Sequence, residues 1–149
     1  MEINIPTKLS EIALGDFQLY MKSQQTDEDK LKYLLKLSDA VVRAIKRTDF
    51  ELLVSKIDEL LNEEVEFNPF MTIAGKKYGF IPNFEDMTNA EFMDLDSSIN
   101  DIQTLHTALA VMFRLVVEEK GEKYSIMEYN PTYGFDEIMK QAPLNVALG

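Results

Sequence analysis

Cysteine is absent from the 149 residues, which excludes disulfides, zinc-thiolate sites, iron-sulfur clusters and thiol nucleophiles and fits a reducing cytosol. Glycine is sparse, six residues scattered singly, so there is no Gly-rich phosphate loop. The G-x-S-x-G and H-E-x-x-H patterns are missing too. No apolar run approaches the roughly 18–20 residues that cross a bilayer. The opening MEINIPTKLS has no basic segment followed by an apolar stretch, so the chain is expected to be made in a cytosol and kept there or packed into a particle. Basic side chains are outnumbered, 15 against 26 acidic, for a net charge of -11. Such a charge repels DNA, RNA and anionic lipid and attracts basic surfaces, so direct nucleic-acid contact is not expected.

What is present suits one ordinary folded unit: 46% hydrophobic and 28% charged residues in a length that builds one core and not two. Glu2-Ile3-Asn4-Ile5 before Pro6 reads as a short edge strand, and a helix is expected within 10–23. Thr26 opens the clearest helix. Asp27, Glu28 and Asp29 suit its positive end, Arg43, Lys46 and Arg47 its negative end, and Leu31, Leu34, Leu35, Val41, Val42 and Ile45 share one face. After a break capped by Thr48 or Asp49, Phe50, Leu53, Val54, Ile57, Leu60 and Leu61 define the second arm of an antiparallel helical hairpin. Residues 67–82 read as a β-hairpin turning at Ala74-Gly75-Lys76-Lys77.

Thr88-Asn89-Ala90-Glu91 has capping-box spacing for a short helix carrying Phe92, Met93 and Leu95, with a break at Asp96-Ser97-Ser98. From Asp101 to about Lys120 the stripe of Ile102, Leu105, Leu109, Met112, Phe113 and Val116, closed by Gly121, predicts the core helix. Residues 123–129 read as a late strand, and a turn at Asn130-Pro131 and a short helix near Phe135 to Gln141 follow. Pro143 then suits the first turn of a new helix, and the uncharged PLNVALG end suggests a truncated apolar segment from 143 onward. The expected fold is α+β: a mainly helical single domain, 1–149, with a β-hairpin and short N-terminal and late strands packed on it. An echo pairs Ile5-Pro6 and Ile12 to Phe17 with Ile81-Pro82 and Met87 to Phe92. Shared packing roles and chance both account for it.

No catalytic, cofactor or metal residue is selected. His106, the lone histidine, has a core position as its favoured reading, because a general base also needs a nucleophile and an orienting acid. Asp94, Asp96 and Asp101 lack the sixth-position Gly and terminal Glu of an EF-hand, and Asp96 or Ser98 serves better as a helix cap. Nothing singles out a catalytic carboxylate pair. Arg114, alone in the apolar run Ala110 to Val117, is expected on the solvent side in preference to pairing with an acid at an interface. Eight Met, six Tyr and nine Phe supply core and, in part, an adaptable binding surface. Apolar residues without an evident core role mark the expected partner contacts: Tyr78 and Phe80 on the hairpin, and Pro143, Leu144, Val146 and Leu148 at the end.

The segments IPTKLSEIALGDFQ, KKYGFIPNFEDMTNAEFMDLD, TLHTALAVMFRLV, EKYSIMEYN and APLNVALG resemble, in this order, a family of small structural-module proteins from tailed bacteriophages of gut and marine Bacteroidota, including crAss-like phages. Residues 23–66 lie outside the resemblance. In the family pattern an Arg-Pro pair follows the helix at 104–117, whereas here Arg114 precedes Leu115. The resemblance implies a non-enzymatic virion-associated protein of capsid or tail, made in the bacterial host cytoplasm. Its partners would be other virion proteins and copies of itself. The alternative is a tail-assembly chaperone absent from the mature particle. No active site is implied at any residue.

Overall fold

A computed structural model describes residues 5–63, 65, 67–82, 87–120, 123–129 and 134–148. Several of its helices begin at a side-chain cap: Thr26, Ser38 and Thr88 each accept a first-turn N–H. A 3-10 turn at Leu9–Glu11 leads into α1 (Leu14–Lys22). The predicted N-terminal strand falls almost entirely outside the described residues.

Thr26 forms a full capping box with Asp29 at the start of α2 (Asp27–Asp29), which runs on as a π turn over Lys30–Leu34. The single helix expected across 27–47 is broken. Lys36 takes a left-handed φ of 57°, and Ser38 accepts the Val41 N–H to start α3 (Asp39–Ala44). A serine that captures a backbone donor competes with continuing the helix. The break also sends Leu31, Leu34, Leu35 and Val42 into one core. The next helix, α4 (Arg47–Leu61), starts before the expected caps: Lys46 is its N-cap, and Thr48 and Asp49 lie within its first turn. Lys30 ties α2 to α4 through Asp58 at 2.6 Å.

The expected hairpin is present as β1 (Phe70–Ile73) and β2 (Lys76–Phe80), joined by Ala74 and Gly75 at φ 52° and 78°. Two positive φ values in a two-residue loop match the twist of the flanking strands. Thr88 caps α5 (Asn89–Ser98), which runs through the break expected at 96–98. Asp101, rather than Asp96 or Ser98, caps the 3-10 turn Ile102–Thr104 by accepting the Gln103 N–H. That turn leads into α6 (Leu105–Met112).

The predicted core helix ends there. At Phe113 the chain passes directly into β3 (Phe113–Lys120), which pairs with β2 on one side and β4 (Lys123–Ile126) on the other. The result is a four-stranded antiparallel sheet in the order β1-β2-β3-β4. A short apolar run fits either state, and the open edge of the hairpin decides in favour of the strand. Val117 is the extra residue where the β3–β4 register shifts, and it is exposed.

Strand alternation divides the sheet. Met71, Ile73, Tyr78, Phe80, Phe113 and Leu115 face the helical core, and Phe80 stacks edge-on against Phe113 at 5.3 Å. Phe70, Gly79, Arg114, Val116 and Tyr124 lie on the other face. A Cβ on Gly79 would come within 2.9 Å of the Tyr124 ring, whose hydroxyl donates to the Phe80 carbonyl at 2.6 Å.

The C-terminal elements, α7 (Phe135–Ile138), the 3-10 turn Met139–Gln141 and α8 (Leu144–Leu148), return to the N-terminal end. Leu14 N donates to the Ala142 carbonyl and Leu144 N to the Ile12 carbonyl, each at 2.8 Å. Gly15 lets α1 approach Lys140, where a Cβ would stand 3.0 Å from its carbonyl oxygen.

Candidate functional site

Four residues from two elements, α5 and β3, and the loop after β4 build the main polar cluster among the described residues. Glu91 stands in the first turn of α5 because Thr88 Oγ1 accepts its N–H at 3.2 Å. A complete capping box would return the acid's carboxylate to the cap's N–H. Here the carboxylate meets Arg114 on the outer face of β3, Nη1 to Oε1 and Nη2 to Oε2, both at 3.4 Å. The two side chains are 8% and 7% exposed. Arg114 is therefore buried and paired, contrary to its expected solvent position. Strand geometry turns it away from Phe113, and α5 closes over it. One turn along α5, Asp94 accepts a short hydrogen bond from the Tyr129 hydroxyl. The Tyr129 ring lies 5.9 Å from the guanidinium carbon.

This cluster separates two recesses. One, of about 590 Å³, is lined by Ile81, Pro82, Ala90, Ile126, Met127 and Glu128 with Glu91, Arg114 and Tyr129. The other, of about 220 Å³, lies between Asp94, Thr107, Tyr129, Phe135 and Asp136. Among the described residues each is lined by more carboxylates than cations, and Glu91 already occupies both terminal nitrogens of Arg114. The arginine is thus spent on Glu91 and is a poor receptor for a phosphate or carboxylate. Its Nε is buried without a hydrogen-bond partner among the described residues. Burial, then the bond to Asp94, pushes the Tyr129 phenol well above its usual range, while Arg114 pulls the other way. Tyr129 thus keeps its proton and acts as a donor.

His106 is half-buried and bonded. Gln18 Nε2 donates to the Ile102 carbonyl at 2.8 Å, which fixes the amide, and lies 3.0 Å from His106 Nδ1. That amide orientation makes Nδ1 an acceptor and places the ring proton on Nε2. Burial first, then the Lys140 charge, holds the imidazole below its usual range, with Glu137 and Asp136 opposing. The potential ligand atoms of His106, Asp136 and Glu137 lie within 4.8 Å of one another. A metal there would have to reverse the Gln18 amide and displace Lys140, which pairs with Glu137 at 3.0 Å. The arrangement fits a hydrogen-bonded joint between α1 and α6 better than a metal site.

The residues expected to meet a partner are mostly inside the fold. Tyr78, Leu144 and Val146 are core, Pro143 is half-buried in its bridge to Ala13, and Phe80 is half-buried between Phe67 and Phe113. Leu148 alone is exposed. The expectation of apolar exposure is corrected for the others, because the N-terminal turn and the sheet cover them. The clearer apolar exposure is on α5, at Phe92 (57%) and Met93 (60%), and at its helical C-cap Ile99 (42%). Helical spacing already carried this signal: Phe92 and Ile99 are two turns apart on one stripe, about a quarter turn round the helix from Glu91 and Ser98. In the internal echo the helix starts do align, at Ala13 and Thr88, yet the acids differ, since Asp16 pairs with exposed Lys36 and Glu91 with buried Arg114. No family model, curated protein or solved structure matches this chain.

Proposed function

We propose that this chain acts through protein–protein contacts and not by catalysis, as a virion-associated component of a tailed phage carried in the capsid or tail. The observation that carries the binding role is α5: its inner side is fixed by the buried Glu91–Arg114 pair, while Phe92 and Met93 on its outer side are more than half exposed. Large apolar side chains held in place on a strongly acidic surface suit recognition of another protein. The polar cluster beneath supports the same reading, because Arg114 is neutralised and Tyr129 is a protonated donor. The phage setting rests on the resemblance of the five sequence segments.

Quantitative mass spectrometry of purified virions tests it. A reproducible copy number per particle is the expected result. Abundance in infected-cell lysate together with absence from particles would replace this reading with the assembly chaperone, whose task of covering an apolar tail-protein segment the α5 face would also suit.

A further inference from the structure

We infer that the outer face of α5, with the recess at its N-terminal end, is a docking site for a cationic amphipathic helix of a partner protein. The inference rests on the binding reading above and names the chemistry of the partner.

At 100° per residue, carried on through the helical C-cap Ile99, the residues Ile99, Phe92, Asp96 and Met93 fall in sequence across one side of α5, a side whose centre is opposite Asp94, Ser98 and Glu91. Phe92, Met93, Asp96 and Ile99 are all exposed. The face is therefore an apolar stripe with a carboxylate set into it. Such a stripe takes the apolar positions of a second helix at i, i+3, i+4 and i+7 spacing, and Met adapts to the detail of the contact.

Charge selects among apolar helices. The chain carries -11, Asp96 lies within the stripe, and Glu128 lies on the neighbouring recess. A partner with lysine or arginine beside its apolar positions is steered toward this surface, and an acidic one is repelled.

The recess gives the complex a direction. Met93 is one turn from Ala90 on α5, and Ala90 lines the 590 Å³ recess with Ile81, Pro82, Ile126 and Met127. A lysine or arginine of the docked helix has the matching shape: an apolar stem over Ile126 and Met127 and a cationic head at Glu128. Arg114 does not repel that head, because Glu91 neutralises it.

The test is calorimetric titration of the full chain with a synthetic amphipathic Leu/Lys helix of about four turns, its scrambled counterpart and a Leu/Glu version. The expected result is micromolar binding of the Leu/Lys helix only, weakened by salt. Phe92→Ser and Ile99→Ser should each reduce affinity about tenfold, and Glu128→Lys severalfold. These positions are exposed, and circular dichroism checks that each variant folds. No binding, equal binding of the scrambled peptide, or affinity indifferent to Phe92→Ser would each overturn the inference. So would a wild-type dimer in sedimentation that Phe92→Ser dissolves, since the face would then be covered by a second copy. Peptide binding is independent of virion mass spectrometry, so a failure of either leaves the other standing.

Discussion

Glu91 and Arg114, 23 residues apart, meet end-on through both oxygens and both terminal nitrogens at 3.4 Å, joining the first turn of α5 to the outer face of β3. A buried pair of this kind adds little over an apolar pair of equal volume, but loss of one partner strands the other charge. Glu91→Gln should therefore cost about 3–5 kcal/mol in urea unfolding. The double change Glu91→Leu with Arg114→Met should recover most of the loss. Equal losses in the single and double variants would show that the pair's charges are not the issue.

Gly79 lies across from Arg114 and beneath the Tyr124 ring. Gly79→Ala places a methyl 2.9 Å from that ring and 3.1 Å from Val116. The ring must swing away from the Phe80 carbonyl, so a loss of about 1–3 kcal/mol is expected. Adding Tyr124→Leu should make the alanine substitution much less costly if the clash is the cause.

The His106 imidazole is held below its usual value of 6.5 by burial and by Lys140. At this site the unfolded chain binds more protons than the folded one just below that value. The histidine's contribution is thus complete above it and is lost as pH falls. Imidazole NMR should place the folded titration below 6.5. Gln18→Met, which removes the amide N–H that opposes protonation of Nδ1, should move it upward. A wild-type midpoint at or above the usual imidazole value would contradict this account.

Tyr129 keeps its proton because an ionised phenolate would be buried and would face Asp94. In a 295 nm alkaline titration, the component removed by Tyr129→Phe should be the last to appear, and Asp94→Asn should bring it to lower pH. The folded state binds this proton more tightly than the unfolded state, so the stability it confers falls as pH rises above the ordinary phenol value.

Leu144 and Leu148 separate burial from exposure within one short helix. Leu144 is fully buried and Leu148 is 42% exposed. Leu144→Ala should cost about 2–5 kcal/mol, whereas Leu148→Ser should change stability by no more than about 0.5 kcal/mol. Thermal unfolding of the two variants checks this directly.

Features that depend on a few neighbouring residues were legible in the amino-acid order. Thr26 and Thr88 cap helices because a hydroxyl three residues before an unpaired N–H finds it locally, and Ala74-Gly75 turns because its positive φ values are a local property. The stripe of Phe50, Leu53, Ile57 and Leu60 specified α4 through helical period alone.

Tertiary structure decided the rest. The run 105–117 is apolar enough for either state, and it becomes half helix and half strand because Phe113 to Leu115 fill the open edge of β2. That switch of period turns Arg114 from an expected solvent charge into the buried partner of Glu91. Tyr78, Leu144 and Val146 read as spare apolar surface until β3 and the turn at Leu9–Glu11 cover them. Sequence order determines what each segment is able to do alone; burial and pairing depend on which distant segment arrives, and that is settled only when the chain closes on itself.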